Sequence, residues 1–80
     1  MNTQEFIQKI EDGDFETFQY GRHADFVVKD ENSQAWMIEG VDYNDEDIIC
    51  DAVYDIKTSN KKPVKADPVF GIVGYKKSED

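Results

Sequence analysis

Phe6, Ile7 and Ile10 fall at i, i+1 and i+4 among the polar Glu5, Gln8, Lys9 and Glu11. That spacing draws one narrow apolar stripe and predicts a helix over residues 3–12. Asn2 or Thr3 supplies a capping oxygen, and Glu5 stands where a carboxylate favours a helix N-terminus. Gly13 offers the left-handed residue that closes such a helix, after which Asp14 leads the chain out. The period then shortens. Phe15 to Tyr20 is rich in strand formers and stops at Gly21, Asp25 to Lys29 has a fully apolar centre, and Gln34 to Glu39 carries Trp36, Met37 and Ile38. Asp30 to Ser33 reads as a hairpin loop; within the pair it joins, Phe26 and Val28 share one face of their strand, as do Trp36 and Ile38 of theirs. A helix followed by an antiparallel meander is the simplest arrangement.

Residues 45–56 fit two periods. As a helix, Asn44 caps the segment, Asp45, Glu46 and Asp47 fill its first turn, and Ile48, Ile49, Ala52, Val53 and Ile56 form one face. As a strand, Ile48, Cys50, Ala52, Tyr54 and Ile56 alternate with Asp51, Val53 and Asp55. Composition leans toward strand, whereas the acidic start and the lysines beyond the end favour a helix through its macrodipole. The helix is the preferred reading. Residues 57–68, with four lysines, Pro63 and Pro68, read as a mobile loop in which Val64 is the one large apolar residue. Val69 to Tyr75 reads as a buried strand, its Gly71 and Gly74 suggesting a bulge or a close backbone approach, and residues 76–80 as a frayed tail. The expected fold is a single α+β domain over residues 1–80: an N-terminal helix packed on an antiparallel sheet of about four strands, with a possible second, acidic helix at 45–56.

Charge changes the picture more than composition does. The 80 residues carry a formal charge of −9, unevenly placed. Residues 1–56 hold 15 Asp or Glu against Lys9, Arg22 and Lys29, and residues 57–77 hold six lysines against Asp67. Such a surface repels nucleic acid and anionic membranes and attracts cationic proteins. Cys50 is the sole cysteine, which excludes an internal disulfide and a cysteine-based zinc site. No apolar run resembles a signal peptide or approaches the roughly 18 residues of a membrane span, so the chain reads as cytosolic.

Glu39 to Asp55 contains seven carboxylates and no base. A calcium loop opening at Asp42 fails twice, because Asp47 falls where a glycine is needed and Val53 where a bidentate Glu should sit. On a helix, Asp47, Asp51 and Asp55 lie four residues apart, about 6 Å per step along the axis. That row, extended by Asp42, Asp45 and Glu46, either keeps a helix face solvated or imitates a phosphate backbone for the lysines and arginines of a nucleic-acid channel. Tyr43 and Tyr54 sit in the same segment as potential anchors, whereas Trp36 reads as core. His23 reads as an exposed turn residue; pairing it with Cys50 for nucleophilic catalysis would require a proximity that spacing does not supply. The lysines from Lys57 to Lys65, near Phe70 and Tyr75, could suggest a single-strand patch, but the negative charge elsewhere opposes a polyanion. No phosphate loop, dinucleotide fingerprint, nucleophile elbow or zinc spacing is present, and no cofactor is expected.

The opening Met1-Asn2, Glu5-Phe6-Ile7, Ile10 and Asp14-Phe15 resembles the start of small acidic anti-CRISPR proteins of phages. The resemblance implies a short helix leading into a small antiparallel sheet, and acidic residues that occupy the DNA-binding surface of a Cas nuclease. It covers residues 1–15, and the later acidic segment does not align with the family's inhibitory carboxylates. Taken together, these features lead to the expectation of a non-enzymatic DNA-mimic inhibitor that binds a basic protein, with Asp42, Tyr43, Asp45, Glu46, Asp47, Asp51, Tyr54 and Asp55 as its contact residues. An immunity protein against a basic toxin and a small phage assembly component are the alternatives.

Overall fold

The computed structural model describes residues 1–43, 46–68 and 75–77. Helix α1 spans Thr3–Glu11. Of the two candidate caps it is Asn2 that serves, its side-chain oxygen accepting the Glu5 N–H at 2.8 Å. At the other end Gly13 adopts φ +79°. The Gly13 N–H bonds Ile10 O at 3.0 Å and the Asp14 N–H bonds Lys9 O at 2.9 Å, which satisfies two carbonyls the helix would leave open. Phe6, Ile7 and Ile10 are buried, as the stripe predicts.

Strands β1 (Glu16–Tyr20) and β2 (His23–Lys29) form a hairpin across Gly21-Arg22. Gly21 at φ +59° suits the first central position of a primed two-residue turn. Strand β3 (Ala35–Asp42) pairs antiparallel with β2, with Phe26 opposite Ile38 and Val28 opposite Trp36. Asp30 organises the loop before it. Its Oδ1 accepts the Asn32 and Gln34 N–H groups at 2.8 and 3.0 Å, and its Oδ2 accepts the Trp36 indole N–H at 2.9 Å. β3 runs past the expected stop at Glu39. The register shifts between Ala24 and Phe26, so that Glu39 and Gly40 together oppose Asp25. Gly40 takes φ +66° there and its N–H turns to Asp25 Oδ1 at 3.1 Å. This bulge carries the strand on to Asp42.

The segment that fitted two periods is a helix, α2, over Ile48–Thr58. Its start differs from expectation, because Asp47 rather than Asn44 is the cap, its carboxylate accepting the Cys50 N–H at 3.1 Å. Glu46 therefore precedes the helix instead of lying in its first turn. The loop expected over 57–68 shrinks to residues 59–63. Lys57 and Thr58 complete α2, and Val64–Pro68 is a strand, β4, paired with the first half of β3. Ala66, opposite Ala35, is fully buried, and a small side chain of that kind leaves little hydrophobic signal in a sequence. The connection is itself tied down. Asn60 adopts φ +52°, the Lys61 N–H reaches Ile56 O at 3.1 Å, and Thr3 Oγ1 donates to Lys61 O at 3.3 Å. Tyr75–Lys77 forms β5 against β4, so Lys76 and Lys77 belong to a strand and not to a tail. Residues 69–74 of the expected last strand, and 78–80, lie outside the described residues.

The fold is α+β, and its described strands lie in the order β1-β2-β3-β4-β5, all neighbours antiparallel. The main core joins Phe6, Ile7 and Ile10 of α1, Ala52 and Ile56 of α2, and Ala24, Phe26, Val28, Ile38 and Val41 of the sheet. Phe15 stacks on Phe26 with ring centroids 5.4 Å apart, closing the α1–β1 corner. Val27, Ala35, Met37 and Ala66 form a smaller buried cluster, against which Phe18 packs. In an antiparallel ladder, partners share a face, so alternation places this cluster on the side of the sheet opposite the helices.

Candidate functional site

The end of β3 and the outer side of α2 meet because Asp55 bridges them. Asp55 Oδ2 accepts the Asp42 N–H at 2.9 Å, and its Oδ1 accepts the Ser59 hydroxyl at 3.0 Å. Next along the chain, the Tyr43 N–H reaches Arg22 O at 3.4 Å, fixing the strand end to the β1–β2 turn. Burial of Ala52 and Ile56 then sets the rotation of α2. Residues 51, 54 and 55 consequently flank a cleft of about 220 Å³ lined by Asp42, Tyr43, Asp51, Tyr54 and Asp55. Tyr54 is 70% exposed, whereas Tyr43 is half-buried against the core.

Five of the eight expected contact residues thus line one concavity. Glu46 and Asp47 are exposed at the head of α2, outside it, and Asp45 lies outside the described residues. The expected straight row of Asp47, Asp51 and Asp55 takes a different form. The Asp47 carboxylate turns inward to cap the helix, and that of Asp55 turns to the strand end and Ser59. Instead of a free line of charge, the geometry is a cleft with one anchored carboxylate, that of Asp55, and a projecting phenol. This placement relieves the like-charge cost of an i, i+4 row, because Asp47 meets the positive end of the helix dipole and Asp55 receives two hydrogen bonds.

A larger hollow of about 440 Å³ lies between α1 and the β2–β3 loop, lined in part by Glu5, Asp12, Asp30 and Glu31. It also contains Lys9 and Met1, and no tyrosine or tryptophan lines it. Its charge is mixed and it lacks an anchor, so the smaller cleft is the stronger candidate for a cationic protein surface.

His23 is the first residue of β2 rather than a turn residue, exposed and stacked on Tyr20 with centroids 6.4 Å apart. Cys50 is exposed in the first turn of α2, and no described hydrogen bond joins the two. Among the described residues, no group of three or more His, Cys, Asp or Glu is placed to hold a metal ion, and no helix is long and apolar enough to cross a membrane. One polar cluster escaped the sequence reading. Tyr20 donates its hydroxyl to Asp25 at 2.7 Å, and this hydrogen bond to a carboxylate, with some desolvation, raises the phenol above its ordinary value of 10.0. Its signal was readable only once Gly21-Arg22 was known as a two-residue turn, which sets Tyr20 diagonally across from Asp25. Asp30 is held below its ordinary 3.8, first by the Trp36 indole and then by the backbone donors of its loop.

Compared with family models, with curated proteins and with solved structures, the chain shows no match in any of the three.

Proposed function

We propose that this chain is a non-enzymatic acidic binding protein that occupies a basic, nucleic-acid-binding surface of a partner, in the manner of a phage inhibitor of a host defence nuclease. The supporting observation is the cleft itself, where Asp42, Asp51 and Asp55 surround an anchor, Tyr54, that is 70% exposed. A large exposed aromatic among carboxylates combines long-range attraction with short-range desolvated contact. The formal charge of −9 supplies the steering field. Electrostatic steering of this kind raises association rates about 10- to 1000-fold and falls with salt.

Affinity capture from host lysate tests the proposal, with nuclease treatment and a salt series, using the natural chain beside Asp51→Asn and Tyr54→Ala. Nuclease-resistant, salt-sensitive capture of a nucleic-acid-handling protein, weakened by both substitutions, is the expected outcome. Recovery of only neutral or acidic proteins, or of the same proteins by both variants with undiminished yield, would sink the proposal.

A further inference from the structure

We infer that the outer edge of β1 is a second docking element, which takes an extended, lysine- or arginine-bearing segment of a basic partner as an added strand. The inference rests on the reading of the partner as basic and deepens it by naming a second mode of contact.

β1 ends the strand order, and β2 is its one strand neighbour among the described residues. Its ladder runs without interruption from Glu16 opposite Val27 to Tyr20 opposite His23. A two-residue turn makes Tyr20 and His23 a hydrogen-bonded pair. Alternation then directs the backbone of Phe18 and Glu16 toward β2 and that of Thr17 and Gln19 outward. Two N–H and two C=O groups consequently face away from the sheet, about 7 Å apart along the strand. Sheet edges are usually blunted by Pro, Lys or a bulge. The sequence Glu-Thr-Phe-Gln-Tyr has no Pro or Lys, and no register shift marks its pairing.

Charge selects what can pair there. Glu11, Asp12 and Asp14 are exposed where the chain leads into β1, and Lys9 reaches Asp14 at 3.3 Å. A second copy, itself carrying a formal −9, would set like charge against like, so self-pairing meets repulsion, whereas a cationic segment meets attraction. Side-chain alternation gives a pattern as well. Glu16, Phe18 and Tyr20 share one face of the strand, and Tyr20 is exposed there, so the incoming segment should place a β-branched or aromatic residue beside Tyr20.

The test uses the full chain and a short blocked peptide of alternating lysine and valine. Amide hydrogen exchange is read residue by residue, against a glutamate–valine peptide and a lysine–proline peptide of equal charge that cannot form a ladder. The lysine–valine peptide should slow exchange at Thr17 and Gln19 by roughly tenfold or more, while the two controls leave both amides unchanged. Gln19→Pro removes an outward donor that the β2 ladder does not use, so it should keep the native circular dichroism and lose the protection at Thr17. Equal protection by the lysine–proline peptide, none by the lysine–valine peptide, or protection that rises with protein concentration alone would each overturn the inference. Asp51→Asn and Tyr54→Ala separate it from the cleft: the edge response should survive both substitutions, which weaken only cleft-mediated capture.

Discussion

Ile56 and Tyr54 are two residues apart on α2, yet the fold assigns them opposite fates. Ile56 is fully buried, touching the cluster that joins both helices to β2 and β3, whereas Tyr54 is 70% exposed. Ile56→Ala removes three carbons from a packed site, for which the cost is about 2–5 kcal/mol depending on how far the cavity collapses. Ile56→Val should cost about 0.5–1.5 kcal/mol. A chain of this length has roughly 4–12 kcal/mol of total stability, so the alanine change consumes a large share of it. The midpoint of thermal unfolding should fall by roughly 10–30 °C. Tyr54→Ala, by contrast, should stay within about 0.5 kcal/mol, because its side chain buries little. The assay is urea unfolding followed both by Trp36 fluorescence and by far-ultraviolet circular dichroism, since Trp36 packs against the same cluster. The two signals should move together in every variant. If Ile56→Ala proved as mild as Tyr54→Ala, or if ellipticity were lost at lower urea than fluorescence, α2 would not be part of the cooperative core. The cleft would then lack a fixed wall.

Asp47→Ala should lower stability by about 1 kcal/mol in the same urea assay through loss of the α2 cap, and Asp47→Asn should recover most of it. Asp30 is depressed by the Trp36 indole, so its contribution is present above 3.8 and is lost as pH falls through its lower folded value; Trp36 fluorescence should show an acid transition below 3.8 that Asp30→Asn abolishes. Tyr20 is raised by Asp25, so the neutral phenol stabilises the fold below 10.0 and that contribution is lost as pH rises through the higher folded value. Phenolate absorbance assigned to Tyr20 should appear above 10.0, and Asp25→Asn should bring it back down.

Much of the fold was legible because its signals are local. Asn2, the stripe of Phe6, Ile7 and Ile10, and Gly13 each state one end or face of α1. The β2–β3 register follows from alternation on both sides of a four-residue polar loop. What escaped depends on distant partners. Ala66 and Lys65 carry too little hydrophobicity to announce a strand, and β4 exists because β3 offers it an open edge. Gly40 looked like a strand end, since nothing local reveals that Asp25 will accept its N–H. The composition of the candidate site was readable, as five of its residues come from one short acidic stretch. Its shape was not, because shape depends on the carboxylate of Asp55 reaching back thirteen residues to Asp42.

That tertiary bond also bears on how an acidic surface could bind with useful affinity. Exposed ion pairs contribute little, about 0–1 kcal/mol, because flexible side chains lose entropy when they are held and water competes for both charges. A surface of freely rotating carboxylates would therefore attract a basic partner without holding it. In this cleft, Asp55 is restrained by the Asp42 N–H and the Ser59 hydroxyl, and Tyr43 by packing and its bond to Arg22. Ordering costs for these groups are met in folding rather than at association. Tyr54 stays exposed and, with two χ angles, loses little freedom when covered. On the proposed function, charge far from the cleft would govern how fast a partner arrives, and the few restrained groups and one phenol would govern how long it stays. Neutralising distant acids such as Glu5 or Glu31 should accordingly slow association with little effect on dissociation, whereas Tyr54→Ala should chiefly speed dissociation.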